Sequence, residues 1–208
     1  MSAVSEWIVR EYFEQLGYFV NQPRKCVTPG RQKGADEEVD LVVLNPHVPE
    51  QALPDSLVWG TGELKRVGRA VVAVRGWHTE CFYASTFLKA PELLRFVSEA
   101  SLKVARQWLG PKPLAKVLCL PRLPAAKPMK EQSLALLRDK GVDGVIEFRT
   151  ILMDLVAQVE MHRNYEKSDL LQIIRILKSY EMLREPQLDL FTRKRSPKRS
   201  KVPPAAAT

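Results

Sequence analysis

Three sets of residues have the types and spacing to do chemistry. Asp40 stands at the head of the apolar run Asp40-Leu41-Val42-Val43-Leu44, Glu63-Leu64-Lys65 sets an acid two residues from an amine, and Glu6 lies in an N-terminal stretch with helical periodicity. In a strand, residues i and i+2 point to the same side, so a carboxylate at a strand edge, an acid and a lysine two apart, and a helix-borne glutamate can converge on one sheet face. Two such carboxylates hold Mg²⁺ or Mn²⁺, and the neighbouring cation positions the attacking water. His78, after Trp77, has the side chain of a general base, although a lone histidine beside a tryptophan is more often packed or at the surface. His47 and His162 have no partners at metal spacing, and there is no GxGxxG or P-loop to hold a nucleotide.

The elements that must position these groups follow from periodicity. Val4, Trp7, Ile8, Tyr12 and Leu16 are spaced as a helix over residues 3 to 16, stopped by Gly17. Strand-like segments follow at Tyr18 to Val27, interrupted by Pro23, and at Glu38 to Leu44, with a polar loop between them. Residues 46 to 62 are rich in turn formers, although Leu57 to Trp59 suits the start of a strand, and Arg69 to Trp77 reads as the best buried strand. Pro91 opens a helix that runs with an apolar stripe to Gly110. A strand at Ala115 to Leu120, a helix at Lys130 to Lys140 and a strand at Val145 to Phe148 come next. Helix from Ile151 to Leu183, with a break at Asn164 to Lys167 and Ser168 as a new N-cap, completes the ordered part. The pattern is α/β: a mixed sheet covered by helices, with no internal repeat.

Composition bounds the rest. The 208 residues are 45% hydrophobic and 27% charged, which suits one buried core and excludes wholesale disorder or a fibrous architecture. No apolar run reaches the roughly 18 to 20 residues of a membrane helix, and Glu6, Arg10, Glu11 and Glu14 interrupt the stretch where a signal peptide would be apolar, so a cytoplasmic location is expected. Cys26, Cys81 and Cys119 are odd in number and far apart, which fits reduced thiols and not a disulfide or zinc framework. The net charge is +8, but residues 192 to 208 hold six basic residues and no acid, leaving 26 basic against 24 acidic residues, +2, for residues 1 to 191. That basic, Pro- and Ser-containing end has too little apolar surface to order itself, and its charges suit phosphate.

The N-terminal region resembles the PD-(D/E)xK nuclease superfamily, in particular its small restriction-endonuclease-like members of the YraN type. Glu6, Val9, Tyr12, Phe13 and Gly17 match the spacing of that family's first helix, and Glu38-Val39-Asp40-Leu41-Val42 is similar to its Glu-Ile-Asp-Leu-Ile segment. The likeness covers residues 3 to 77 with motifs and implies an αβββαβ core to about residue 120. It further implies Mg²⁺-dependent hydrolysis of phosphodiester bonds, with Asp40 and a second carboxylate as metal ligands and Glu6 as an auxiliary acid. The departure comes at the decisive strand. Where the family has Val-Glu-Val-Lys or Val-Glu-Val-Arg, this chain has Val72-Ala73-Val74-Arg75, and alanine cannot bind a cation. Arg75 can stabilise charge but is a poor proton acceptor. An alternative register takes Glu63 as the second ligand and Lys65 as the water-positioning cation, or Glu63 as a migrated carboxylate on a strand next to Ala73.

Gln187-Leu188-Asp189-Leu190-Phe191 resembles the pentapeptide by which bacterial proteins bind the sliding clamp. From average residue usage, a chance match in a chain this long is expected on the order of once in a thousand or less. It follows Pro186 and directly precedes the basic end, as a peptide offered to a partner should. Arg193, Lys194, Arg195, Lys198, Arg199 and Lys201 would add non-specific DNA contacts.

The expected organisation is a restriction-endonuclease-like domain over residues 1–150, a helical extension over 151–185 and a basic tail over 186–208 with the clamp peptide at 187–191. The helix from Ser168 has an apolar stripe broad enough for a lid or a homodimer face. Three functions fit: a clamp-recruited nuclease of bacterial DNA repair or replication, working at the nucleoid with Mg²⁺ or Mn²⁺; a degenerate pseudo-nuclease, needing no metal, that joins clamp and DNA; or an RNA-directed or structural protein whose terminal peptide matches by chance.

Overall fold

A computed structural model describes residues 3–23 and 39–183. The element order is α1 (Ala3–Gln15), β1 (Phe19–Asn21), β2 (Leu41–Leu44), α2 (Thr61–Leu64), β3 (Arg69–Val74), α3 (Ala84–Lys89), a 3-10 turn (Pro91–Val97), α4 (Glu99–Leu109), β4 (Ala115–Leu120), α5 (Lys127–Asp139), β5 (Gly144–Glu147), α6 (Phe148–Gln158) and α7 (Asp169–Ser179). The strands form one mixed sheet in the order β1-β2-β3-β4-β5. β1 and β2 pair antiparallel, as do β2 and β3, whereas β3, β4 and β5 run parallel. Leaving aside the short α2 and α3, the first part of the chain has the αβββαβ order.

The centre of the sheet is apolar on both faces because helices cover both. Alternate residues of β2 and β3, Leu41, Val43, Val72 and Val74, join Val9, Tyr12 and Phe13 of α1 in one cluster. Val42, Val71 and Ala73 join Phe82, Leu93, Phe96 and Ala105 in the other. Ile151 and Leu155 of α6 and Leu171 and Ile174 of α7 belong to the α1 cluster, so the residues beyond 150 close the main core.

Sequence-local signals set the helix ends. Gly17, at φ 83°, takes the left-handed conformation that ends α1. The side chain of Ser168 caps α7 by accepting from the Leu171 N–H at 3.3 Å, and it donates to Glu11 Oε2 at 2.7 Å, tying α7 to α1. The helix expected from Pro91 to Gly110 is two elements, because Ser98 turns extended and its Oγ accepts from the Ser101 N–H to start α4 afresh.

The segment between β2 and β3 crosses the molecule. Leu57 to Trp59 reach the far edge of the sheet, where the Trp59 N–H donates to Val145 O at 2.8 Å and the Val145 N–H donates to Leu57 O at 2.7 Å. Part of the β5 edge is thereby covered. The Trp59 indole lies on Gly144, where a Cβ would come within 2.2 Å of its ring. α2 then returns the chain to β3. Tyr18 anchors that return: its hydroxyl lies 2.6 Å from both Leu64 O and Val67 O.

Candidate functional site at the carboxyl end of the sheet

The pairing of Leu41 with Val72 places Asp40 opposite Ala73, at the carboxyl end of β3, and the Asp40 N–H continues the ladder by donating to Val72 O at 3.2 Å. Carboxyl ends of parallel strands are where open α/β sheets place their ligand crevices. Asp40, Ala73 and Arg75 alternate with Leu41, Val72 and Val74 and therefore share the face of the sheet away from α1.

Asp40 is 0% exposed. Its Oδ2 accepts from the Val74 N–H at 2.7 Å and from Arg75 Nη1 at 3.1 Å. Arg75 is itself buried and also donates to Val74 O at 3.1 Å and to Leu93 O, in the 3-10 turn, at 2.7 Å. Its guanidinium thus joins β2, β3 and the turn that leads into α4. Cys119, buried on β4, has its thiol pushed up, first by burial and then by the negative charge of Asp40.

Glu6 comes to the same end of the sheet from α1. Its Oε2 accepts from Gln22 Nε2 at 2.7 Å, and the pairing of Asn21 with Val42 sets Gln22 beside the start of β2. The structure therefore joins Asp40 to Arg75 and Glu6 to Gln22.

Glu63 and Lys65 lie elsewhere, and the register that paired them with Asp40 is corrected. They belong to and follow α2, whose Leu64 packs in the α1 cluster, whereas Asp40 shares the opposite face of the sheet with Ala73. Glu63 Oε2 accepts from the Gly60 N–H at 2.9 Å, which makes it an N-terminal brace for α2. Lys65 lines a small hollow with Leu16, Tyr18, Asn45 and Val48. Among the described residues no further strand carboxylate lies beside Ala73, whose neighbours in the sheet are Asp40 and Leu118.

This donor set does not fit Mg²⁺ or Mn²⁺. A divalent cation of this kind needs several oxygen ligands in near-octahedral geometry. Here position 73 offers a methyl group, and a guanidinium lies against the Asp40 oxygen that a metal would use. Among the described residues no three His, Cys, Asp or Glu side chains are grouped to hold a metal. Cys81 and Cys119 are free thiols. The clamp-like peptide 187–191, the basic residues from Arg193 to Lys201, and Cys26 lie outside the described residues.

His78 has partners that spacing alone did not reveal. Its Nε2 is 3.0 Å from Ser5 Oγ, and its ring meets Phe148 edge-on at 4.6 Å between centroids. His47 sits in the turn after β2, its N–H donating to Asn45 Oδ1 at 3.0 Å. A second polar group, also unforeseen, lies under α1. Tyr12 Oη and Thr61 Oγ1 donate to Asp154 Oδ2 at 3.0 and 2.7 Å, and burial pushes the Tyr12 phenol up. These contacts link α1, α2 and α6 over sequence separations of 93 and 142 residues, which no local pattern encodes.

Comparison of the chain with protein-family models, characterised proteins and solved structures gives no match. No helix among the described residues is long and apolar enough to cross a membrane.

Proposed function

We propose that this protein is a catalytically degenerate member of the PD-(D/E)xK nuclease fold that works as an adaptor between DNA and the bacterial sliding clamp, in DNA repair or replication. One observation carries the reading. The carboxylate in the position of the fold's metal ligand, Asp40, is buried and neutralised by Arg75, and its partner position is Ala73. A carboxylate so paired braces the sheet and has little capacity left for a cation or a water.

Recruitment falls to the sequence 187–191. Leu188, Leu190 and Phe191 would fill an apolar groove on the clamp, and Gln187 would add a directional hydrogen bond. The basic residues from Arg193 to Lys201 would contact phosphate, and the clamp would raise the effective concentration of the protein at DNA.

The test uses the full chain with labelled branched, mismatched, single-stranded and duplex DNA in Mg²⁺ or Mn²⁺, with and without clamp. DNA and clamp binding without cleavage is the expected result, and clamp binding is lost in Leu190→Ala/Phe191→Ala. Metal-dependent cleavage that disappears in Asp40→Ala would overturn the adaptor reading in favour of an enzyme.

A further inference from the structure

Beyond Arg75 the chain leaves the sheet in a loop that holds an aromatic ring in solvent. Trp77 is 45% exposed, and its indole is stacked on Phe82 with 6.1 Å between centroids and 10° between planes. Phe82 is 0% exposed, so the indole has a rigid apolar backing. The loop is tied at each step. The His78 N–H donates to Gly76 O at 3.0 Å, the Glu80 N–H to Trp77 O at 2.9 Å, and the Phe82 N–H to Arg122 O at 3.0 Å. Arg122 Nη2 returns a bond to Thr79 O at 3.2 Å. His78 is steadied by Ser5 and Phe148, as described above.

His78 stands between two hollows. One, of about 720 Å³, is lined by Gly76, Trp77, Thr79, Glu80 and Thr86. The other, of about 500 Å³, is lined by Phe148, Arg149, Leu152 and Met153. Arg122, bonded to Thr79 O, and Arg149, which lines a hollow with His78, are exposed next to this loop, which itself carries Glu80. A large apolar ring held at the surface in a fixed pose, with exposed guanidinium groups nearby, has the form of a stacking platform for a flat, anionic polymer.

We infer that Trp77, with Arg122 and Arg149 beside it, is a binding site for unpaired nucleobases of single-stranded DNA, one base stacking on the indole and the adjoining phosphates meeting the two arginines. This deepens the adaptor reading and rests on it for the choice of DNA. A duplex keeps its base faces covered, so the platform selects strands that are already open, such as those at gaps, flaps and damaged sites.

The experiment is fluorescence anisotropy with the full chain at fixed salt, using a short labelled single strand and its duplex. For Trp77→Ala the single strand binds about tenfold more weakly and the duplex changes less than about twofold, as loss of one stacking contact requires. Trp77→Phe keeps most of the affinity. Trp108→Ala, which removes a still more exposed ring from α4, changes neither. Single-strand binding by Trp77→Ala equal to that of the native chain would overturn the inference, as would equal losses on both forms. Quenching of tryptophan fluorescence by single strand, larger in the native chain than in Trp77→Phe, checks stacking without the alanine variant; equal quenching in the two proteins overturns the inference. A native chain that binds clamp and DNA but is indifferent to Trp77→Ala removes this site alone, whereas a native chain that binds neither removes the adaptor reading with it.

Discussion

Replacing Asp40 by Asn separates a structural carboxylate from a catalytic one. The substitution keeps the shape and removes the charge, leaving the Arg75 guanidinium, 5% exposed, without the anion 3.1 Å away. Breaking a buried ion pair by removing one partner costs about 3 to 5 kcal/mol, because the remaining charge stays desolvated. The asparagine oxygen can still accept from the Val74 N–H, so the lower end, about 3 kcal/mol, applies here. For a chain of this length that lowers the melting temperature by roughly 6 to 12 °C. Thermal and urea melts read the effect, and an unchanged urea slope assigns it to the native state. Arg75→Gln also destabilises the chain, since it removes the donors that reach Asp40, Val74 O and Leu93 O. The double variant Asp40→Asn/Arg75→Gln costs less than the sum of the singles by at least about 1 kcal/mol, because the attraction between the two side chains is lost only once. A catalytic carboxylate behaves in the opposite way: sites tuned for activity are held at the expense of stability, and neutralising them commonly stabilises the fold. A melting temperature that is unchanged or raised in Asp40→Asn would refute the structural role argued here.

Three further outcomes follow from the packing. Gly144→Ala sets a methyl group within 2.2 Å of the Trp59 ring and costs about 3 kcal/mol by chemical denaturation, and Trp59→Leu in the same chain recovers part of that loss. Ser168→Ala removes both the cap of α7 and the bond to Glu11, a loss of about 1 to 2 kcal/mol, with α7 amides gaining the most in hydrogen exchange. Burial raises the Cys119 thiol above its ordinary 9.0 and the Tyr12 and Tyr18 phenols above their ordinary 10.0. The unfolded chain therefore gives up these protons first. Their contribution to stability is fully present below pH 9 and is lost as the pH rises, by up to about 1.4 kcal/mol per pH unit for each group. Cys119→Ala moves the onset of that decline about one pH unit higher in pH-dependent melts, and an unchanged onset would contradict the assignment.

Where elements have their cause nearby, the sequence was legible. Apolar periodicity with Gly17 marked α1, Ser168 marked the start of α7, and Ala115 to Leu120 is the strand β4. The split between the 3-10 turn and α4 was missed because the apolar stripe continues through Ser98, although Ser98 followed by Glu99 has the form of a cap and first-turn acid. The short helices α2 and α3 carry too few residues for a period to declare itself. At the site, that position 73 offers no ligating side chain was legible from the residues alone. What was not legible is that Glu63 and Lys65 come with α2 to the α1 side of the sheet, away from the face that carries Asp40. That placement depends on Leu57 to Trp59 reaching β5, a contact across more than 80 residues of chain that only the folded sheet creates.

The same long-range geometry explains how the fold keeps a buried carboxylate at position 40. A fully buried carboxylate needs a counter-charge and hydrogen bonds, or it would take up a proton. A divalent cation can supply that charge only where a second anionic ligand helps to offset its dehydration. With a methyl group at position 73 no second anionic ligand stands there, and Asp40 takes the flat guanidinium of Arg75 as its partner. Arginine brings a permanent charge and donors enough to reach Asp40, Val74 O and Leu93 O at once. Lysine, with a compact ammonium, could not span those three acceptors. Ala73 and Arg75 thus form a matched pair: Ala73→Glu would return an anion to a position that is 0% exposed, compete for the guanidinium and pull it from Leu93. The result would be a less stable chain, not a restored metal site.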